Sequence, residues 1–140
     1  MAELARFHKI NNSDIFVFHD ELDLAAGRLR VKNGGGHGGH NGLRDIDRHL
    51  GQNYWRVRIG IGRPPHQSMD VKAWVLGDFT RDEQAGWLPR LLNAMADEAI
   101  RLIAYDDGGF MSRVAFLAPA PAPAPGKADK DNVSNDNAGN

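Results

Sequence analysis

Apolar residues fall along the chain in three rhythms, and each predicts a different element. Ile15-Phe16-Val17-Phe18 is a continuous apolar run, the pattern of a strand covered on both faces and placed centrally in a sheet. Arg28-Leu29-Arg30-Val31-Lys32 and the segment Tyr54 to Gly62 alternate instead. Their pattern puts Leu29, Val31, Trp55, Val57, Ile59 and Ile61 on core faces, with Arg28, Arg30, Lys32, Arg56 and Arg58 on the opposite side. Leu88, Leu91, Leu92, Met95, Ala99, Leu102 and Ile103 recur at helical spacing. They predict a core stripe on one long helix, opened by a capping box at Thr80 and Glu83 and running to about Tyr105. Pro89 predicts a kink or restart in its early part.

The shorter segments fill in around these. Ala2 to Lys9 reads as the last turns of a helix, Asn11 to Asp14 as a turn, and Leu43 to Leu50 as a helix ended by Gly51. Met69 to Leu76 is amphipathic, helical or extended. Asp106-Asp107-Gly108-Gly109 reads as a stop, with Phe110 to Leu117 a short terminal segment. From Ala118 the sequence runs through Pro/Ala repeats into KADKDNVSNDNAGN, a composition that cannot bury enough surface to offset its ordering. The expected organisation is one folded domain over residues 1–117 and a disordered tail over 118–140. No apolar run reaches membrane-spanning length, and MAELARFHK does not read as a signal peptide. The absence of cysteine fits a reducing cytoplasm.

Between Arg28 and Arg58 lie seven basic residues against two acidic ones, although the whole chain carries a formal charge of −1. A local excess of five positive charges makes polyanion binding plausible, with a solvated strand face as the plain alternative. Within this region, six of the eleven residues from Lys32 to Gly42 are glycine, interrupted by His37, His40 and Asn41. Such a backbone can take positive φ and approach a partner closely, at a high entropic cost on ordering. Strand-like and helix-like segments abut it, so it reads as a site rather than a linker. No Lys-Ser/Thr follows the glycines, which argues against a nucleotide phosphate loop. His37 and His40 have neither cysteine nor a well-spaced carboxylate to complete a metal site. Asp20 stands at the carboxyl end of the first strand, the usual ligand edge of an open α/β sheet, with a turn aspartate as the alternative. His19 beside it faces the other way, so those two side chains do not make a catalytic pair.

Three motifs then carry a resemblance: Phe18 to Leu24 (FHDELDL), Gly34 to Asp45 (GGGHGGHNGLRD) and Arg56 to Pro64 (RVRIGIGRP). Together they make the chain similar to the bacterial peptidyl-tRNA hydrolase family over nearly all of Ala2 to Leu117. The resemblance implies an α/β fold with a mixed or parallel sheet flanked by helices. It implies a cytoplasmic, monomeric hydrolase with no cofactor and no metal, which cleaves the ester joining a peptide to tRNA dropped by ribosomes. Asp20 would orient a general-base histidine, and Asn41 would position the attacking water and the substrate carbonyl. Lys32 and Arg58 would grip a tRNA phosphate, with Gly38, Gly39 and His40 completing the substrate site.

The family's first strand, its general-base histidine and its other N-terminal motifs have no counterpart in these residues. The expectation is of a fold incomplete at the N-terminus, through a fragment or a misplaced start, and of a poor enzyme on its own. His37 and His40 belong to the glycine loop in active family members, where they support the site rather than act as its base. The alternative is a tRNA-binding remnant without chemistry.

Overall fold

The computed structural model describes residues 1–123. Strands β1 (Phe16–Glu21), β2 (Leu29–Asn33) and β3 (Trp55–Gly60) form one sheet in the order β1-β3-β2. β1 runs parallel to β3, with Phe16 opposite Trp55 and Asp20 opposite Ile59, whereas β2 runs antiparallel to β3, with Arg30 opposite Arg58. The α/β class with a mixed sheet and flanking helices is therefore as the sequence implied.

The position of the first strand is not. β3 takes the centre and β1 lies at an edge of the sheet. Phe16 packs against the core, but Phe18, two residues on and on the same side of β1, is 45% exposed. A continuous apolar run reports that both faces of a strand are apolar; it carries no information on how many strands lie beside it.

Helix α1 spans Ala2–Phe7, a single 3-10 turn follows at Asn12–Asp14, and α2 spans Asn41–Leu50, ended by Gly51 at φ +76°. Helix α3 (Val71–Leu76) settles the ambiguous segment as helical, because the Asp70 carboxylate caps the N–H groups of Lys72 and Ala73. The capping box forms as expected at α4 (Arg81–Ala85), where Thr80 Oγ1 accepts from the Glu83 N–H and Glu83 Oε2 from the Thr80 N–H. The single long helix does not form. Gly86 breaks it, and α5 (Trp87–Ile103) restarts with Pro89 in its first turn, where a missing N–H costs no helical bond. The core stripe is also narrower than the periodicity suggested. Trp87, Leu91, Ala94, Met95 and Leu102 are buried, while Leu92 and Ile103 are exposed on the outer side of α5.

The last helix overturns the stop read at residues 106–109. The Asp106 side chain accepts from the Gly109 N–H and caps α6 (Asp107–Leu117), which carries Phe110 and Val114 into the same cluster as Val57. The glycines are tolerated in the first turn because tertiary burial of Phe110 outweighs their poor helix propensity. Ala118 is part of this core, and Ala120 and Pro121 lie beside Gly27, so packing continues past Leu117. The greater part of the expected tail, residues 124–140, lies outside the described residues. Among those described, no helix is long and apolar enough to cross a membrane.

Candidate active site

The glycine loop joins the end of β2 to the start of α2, over the sheet face opposite the helical core. Its entry is fixed to β3 by the Gly34 N–H, which donates to the Tyr54 carbonyl at 2.9 Å. Gly34 and Gly35 have φ of +68° and +106°, values that an L side chain rarely adopts. Lys32 lies back along the loop, so that a Cβ on Gly35 would stand 3.2 Å from the Lys32 Nζ. The loop and the sheet enclose a cleft of about 180 Å³, lined among others by Lys32, Arg58, His19, His37, Gly38 and Leu43.

The basic stripe read from the alternation is only partly available to a polyanion. Arg56 is 2% exposed, its guanidinium bonded inside the protein to Gly35, Gly36 and Asp47. Arg58 is half-buried and pairs with Glu21 at 3.3 Å. Lys32, Arg28 and Arg30 remain exposed. The alternation placed Arg56 correctly on the face away from the core, but the glycine loop covers that face.

At the other end of the loop, His40 caps α2. Its Nδ1 accepts from the Leu43 N–H at 3.2 Å, and its Nε2 lies 2.8 Å from Asp20 Oδ1. A ring nitrogen that accepts a backbone N–H carries no proton, so the proton of neutral His40 sits on Nε2 and is donated to Asp20. Asp20 and His40, twenty residues apart in the chain, are thereby held together, and Asn41 follows as the first residue of α2. The arrangement leaves Asp20 Oδ2 for a second donor.

The partners of the other two rings fix their tautomers as well. His37 Nδ1 accepts from the Gly39 N–H at 3.0 Å, which leaves its proton on Nε2. His19 Nδ1 donates to the Asp20 carbonyl at 2.7 Å, so its free lone pair is on Nε2. That atom is buried and has no hydrogen-bond partner, and the ring packs edge-on against His40 at 5.3 Å between centroids. Burial lowers the pKa of His19 below its ordinary 6.5, which keeps the ring neutral, and the neighbouring His40 acts in the same direction. Neutral His37 and His40 thus have no unengaged lone pair, and that of His19 is enclosed.

Of the sequence candidates, Asp20 and His40 meet directly, and Lys32, Arg58 and Gly38 line one cleft with His37. Gly39 and Asn41 stand on either side of His40 in the chain. Among the described residues, the side-chain hydrogen bond of Asp20 runs to His40 and not to Asn41. Arg56, Asp47, Tyr54 and Glu21 were not anticipated as parts of the site, because the contacts that place them there run between distant parts of the chain. Among the described residues no group of three or more His, Cys, Asp or Glu side chains is placed to hold a metal ion.

Residues 1–121 match the family model described as peptidyl-tRNA hydrolase. The chain is 52% identical over 116 residues to a peptidyl-tRNA hydrolase of Rhodospirillum centenum, covering 83% of this chain and 50% of that protein. It is 48% identical over 130 residues to one of a Ruegeria species, covering 93% and 52%. A crystal structure of the peptidyl-tRNA hydrolase from Acinetobacter baumannii superposes with a TM-score of 0.73 at 37% identity, over 86% of this chain and 60% of the other. The chain spans about half the length of the curated relatives it matches.

Proposed function

The chain belongs to the peptidyl-tRNA hydrolase family, and from that premise we propose that it binds the acceptor end of peptidyl-tRNA and serves hydrolysis of the ester joining peptide to tRNA, freeing tRNA dropped by ribosomes. The reading is of a cytoplasmic monomer working without metal or cofactor. The observation that carries it is the Asp20–His40 contact at 2.8 Å beside the cleft that holds Lys32 and Arg58.

In this reading Lys32 and Arg58 meet phosphate oxygens and set the register of the tRNA without reading sequence. Arg58 arrives already pointed by Glu21, which limits the side-chain freedom it loses on binding. Asn41 offers its amide to the attacking water and the ester carbonyl, and Gly38 and Gly39 let the substrate end approach the backbone. His40 fixes Asp20 through Oδ1, which leaves Oδ2 to orient the N–H of a general-base imidazole, a role that the engaged nitrogens of His37 and His40 and the enclosed one of His19 do not fill. With such a base in place, the imidazole would take a proton from water as the water oxygen bonds to the ester carbonyl carbon, the bond from that carbon to the ribose oxygen would break, and the proton would pass to the departing ribose oxygen.

A second reading, tRNA binding without chemistry, is favoured by one observation: none of the three imidazoles at the site presents a free, accessible lone pair. Both readings require the phosphate grip, which salt dependence tests. Binding of an acceptor-stem RNA hairpin is expected to weaken linearly in log Kd against log salt, with the slope reduced by about one in Lys32→Gln and again by about one in Arg58→Gln. A slope that neither substitution changes would remove both residues from the phosphate contact.

A further inference from the structure

Arg56 is the one cation of the basic stripe that is wholly enclosed, and everything its guanidinium touches belongs to the site's framework. One Nη donates to the Gly36 carbonyl and the other to the Gly35 carbonyl, each at 2.7 Å. The second Nη also meets Asp47 Oδ1 at 3.1 Å, in the body of α2. The guanidinium carbon lies over the Tyr54 ring, 4.7 Å from its centroid. Tyr54 is fully buried, donates its own hydroxyl to the same Asp47 oxygen at 2.6 Å, and receives the Gly34 N–H on its carbonyl. A single planar fork therefore joins β3, the entry of the glycine loop and the helix that follows the loop.

Both ends of that linkage lead to residues of the proposed site. The loop carbonyls belong to Gly35 and Gly36, and Gly35 is the residue against which the Lys32 side chain lies. Asp47 belongs to α2, whose N-terminus is His40, the partner of Asp20. The glycines themselves cannot fix this arrangement, because they have no side chains to pack and the widest backbone freedom of any residue. A guanidinium can, since its donors are rigidly spaced and it stays charged at any working pH.

We infer that Arg56 is a positioning residue for the phosphate grip and the Asp20–His40 pair, holding the glycine loop and α2 at a fixed distance from β3, and that it makes no phosphate contact itself. The inference rests on the proposed tRNA-binding reading, but the geometry it claims can be tested without RNA. In the full chain, Arg56→Lys keeps the charge and offers one compact ammonium that cannot span two carbonyls and a carboxylate. The amide signals of Gly34, Gly35 and Gly36 are expected to move, and hydrogen-exchange protection of Gly34 to fall about tenfold, while the sheet amides of Phe18 and Val57 keep theirs. Affinity for the acceptor-stem hairpin is expected to fall about tenfold with the salt slope unchanged, whereas Lys32→Gln lowers the slope and leaves the Gly34 and Gly36 amides in place. Unmoved glycine amides together with a slope lowered by about one would overturn the inference and make Arg56 a phosphate ligand. If the unsubstituted chain binds no hairpin, the functional reading fails, yet the glycine amides still decide the positioning role. If Arg56→Lys does not fold, the guanidinium N–H signals of the unsubstituted chain decide instead: they are expected to stay in place when the hairpin is added, and a shift on binding would contradict the inference.

Discussion

Asp47→Ala is expected to destabilise the fold by about 3–5 kcal/mol, read as a lower urea midpoint in equilibrium unfolding. The Asp47 side chain is 9% exposed and that of Arg56 is 3% exposed, so the pair is held away from water. Removing the carboxylate leaves a buried guanidinium without its counter-charge and strips the Tyr54 hydroxyl of its acceptor. That hydroxyl is so firmly held in its protonated form that burial and the Asp47 bond push its pKa up to about 12. Asp47→Asn, which keeps an acceptor oxygen and loses only the charge, is expected to cost less. A loss below about 1 kcal/mol in Asp47→Ala would mean that Arg56 reaches water when its partner is gone, in the manner of a surface ion pair.

Phe110→Ala is expected to cost about 3–5 kcal/mol, the range for emptying an aromatic site in a packed core. Phe110 is 0% exposed and joins α6 to the cluster formed by Val57 of the sheet and Leu91, Met95 and Leu102 of α5. Two glycines precede it, so α6 has little propensity of its own and depends on this anchor. Loss of helical circular dichroism alongside the lowered midpoint is the expected signature. A cost near that of a surface substitution would show that α6 docks through Val114 and Ala118 without it.

Phe110 also marks where sequence reasoning was strong and where it failed. The alternation of Leu29 to Lys32 and of Trp55 to Ile59 located β2 and β3 and their core faces, because a strand buried on one side must alternate with period two. The Thr80–Glu83 box located the start of α4, because both residues needed for the cap lie within four positions. The start of α6 was not legible, since Asp106-Asp107-Gly108-Gly109 is a stop by propensity and becomes a cap only when Phe110 has somewhere to go. The edge position of β1 was equally hidden, because neighbours in a sheet come from distant parts of the chain.

The site divides in the same way. Asp20, Lys32, His40 and Arg58 stood out through residue type, local context and motif, and the structure brings Asp20 to His40 and lines one cleft with Lys32 and Arg58. Arg56 was read as part of a charged surface. Only the path of the loop over β3 shows it enclosed, and only the Glu21 contact shows that Arg58 is already partnered. The commitment of the histidine nitrogens could not be read from spacing either, since it depends on backbone N–H and carbonyl groups that every residue possesses.

Those committed nitrogens lead to the most direct measurement. Release of peptide from an N-acetylated aminoacyl-tRNA would be followed with the purified 140-residue chain and, in parallel, with the Rhodospirillum centenum relative. Turnover by the chain is expected to be about 10²- to 10⁴-fold below the relative's, the loss that goes with a site lacking a free general base, while the tRNA is still bound. Turnover equal to the relative's, and abolished by replacing His37 or His40, would contradict the account by placing the base among the rings whose nitrogens are already engaged.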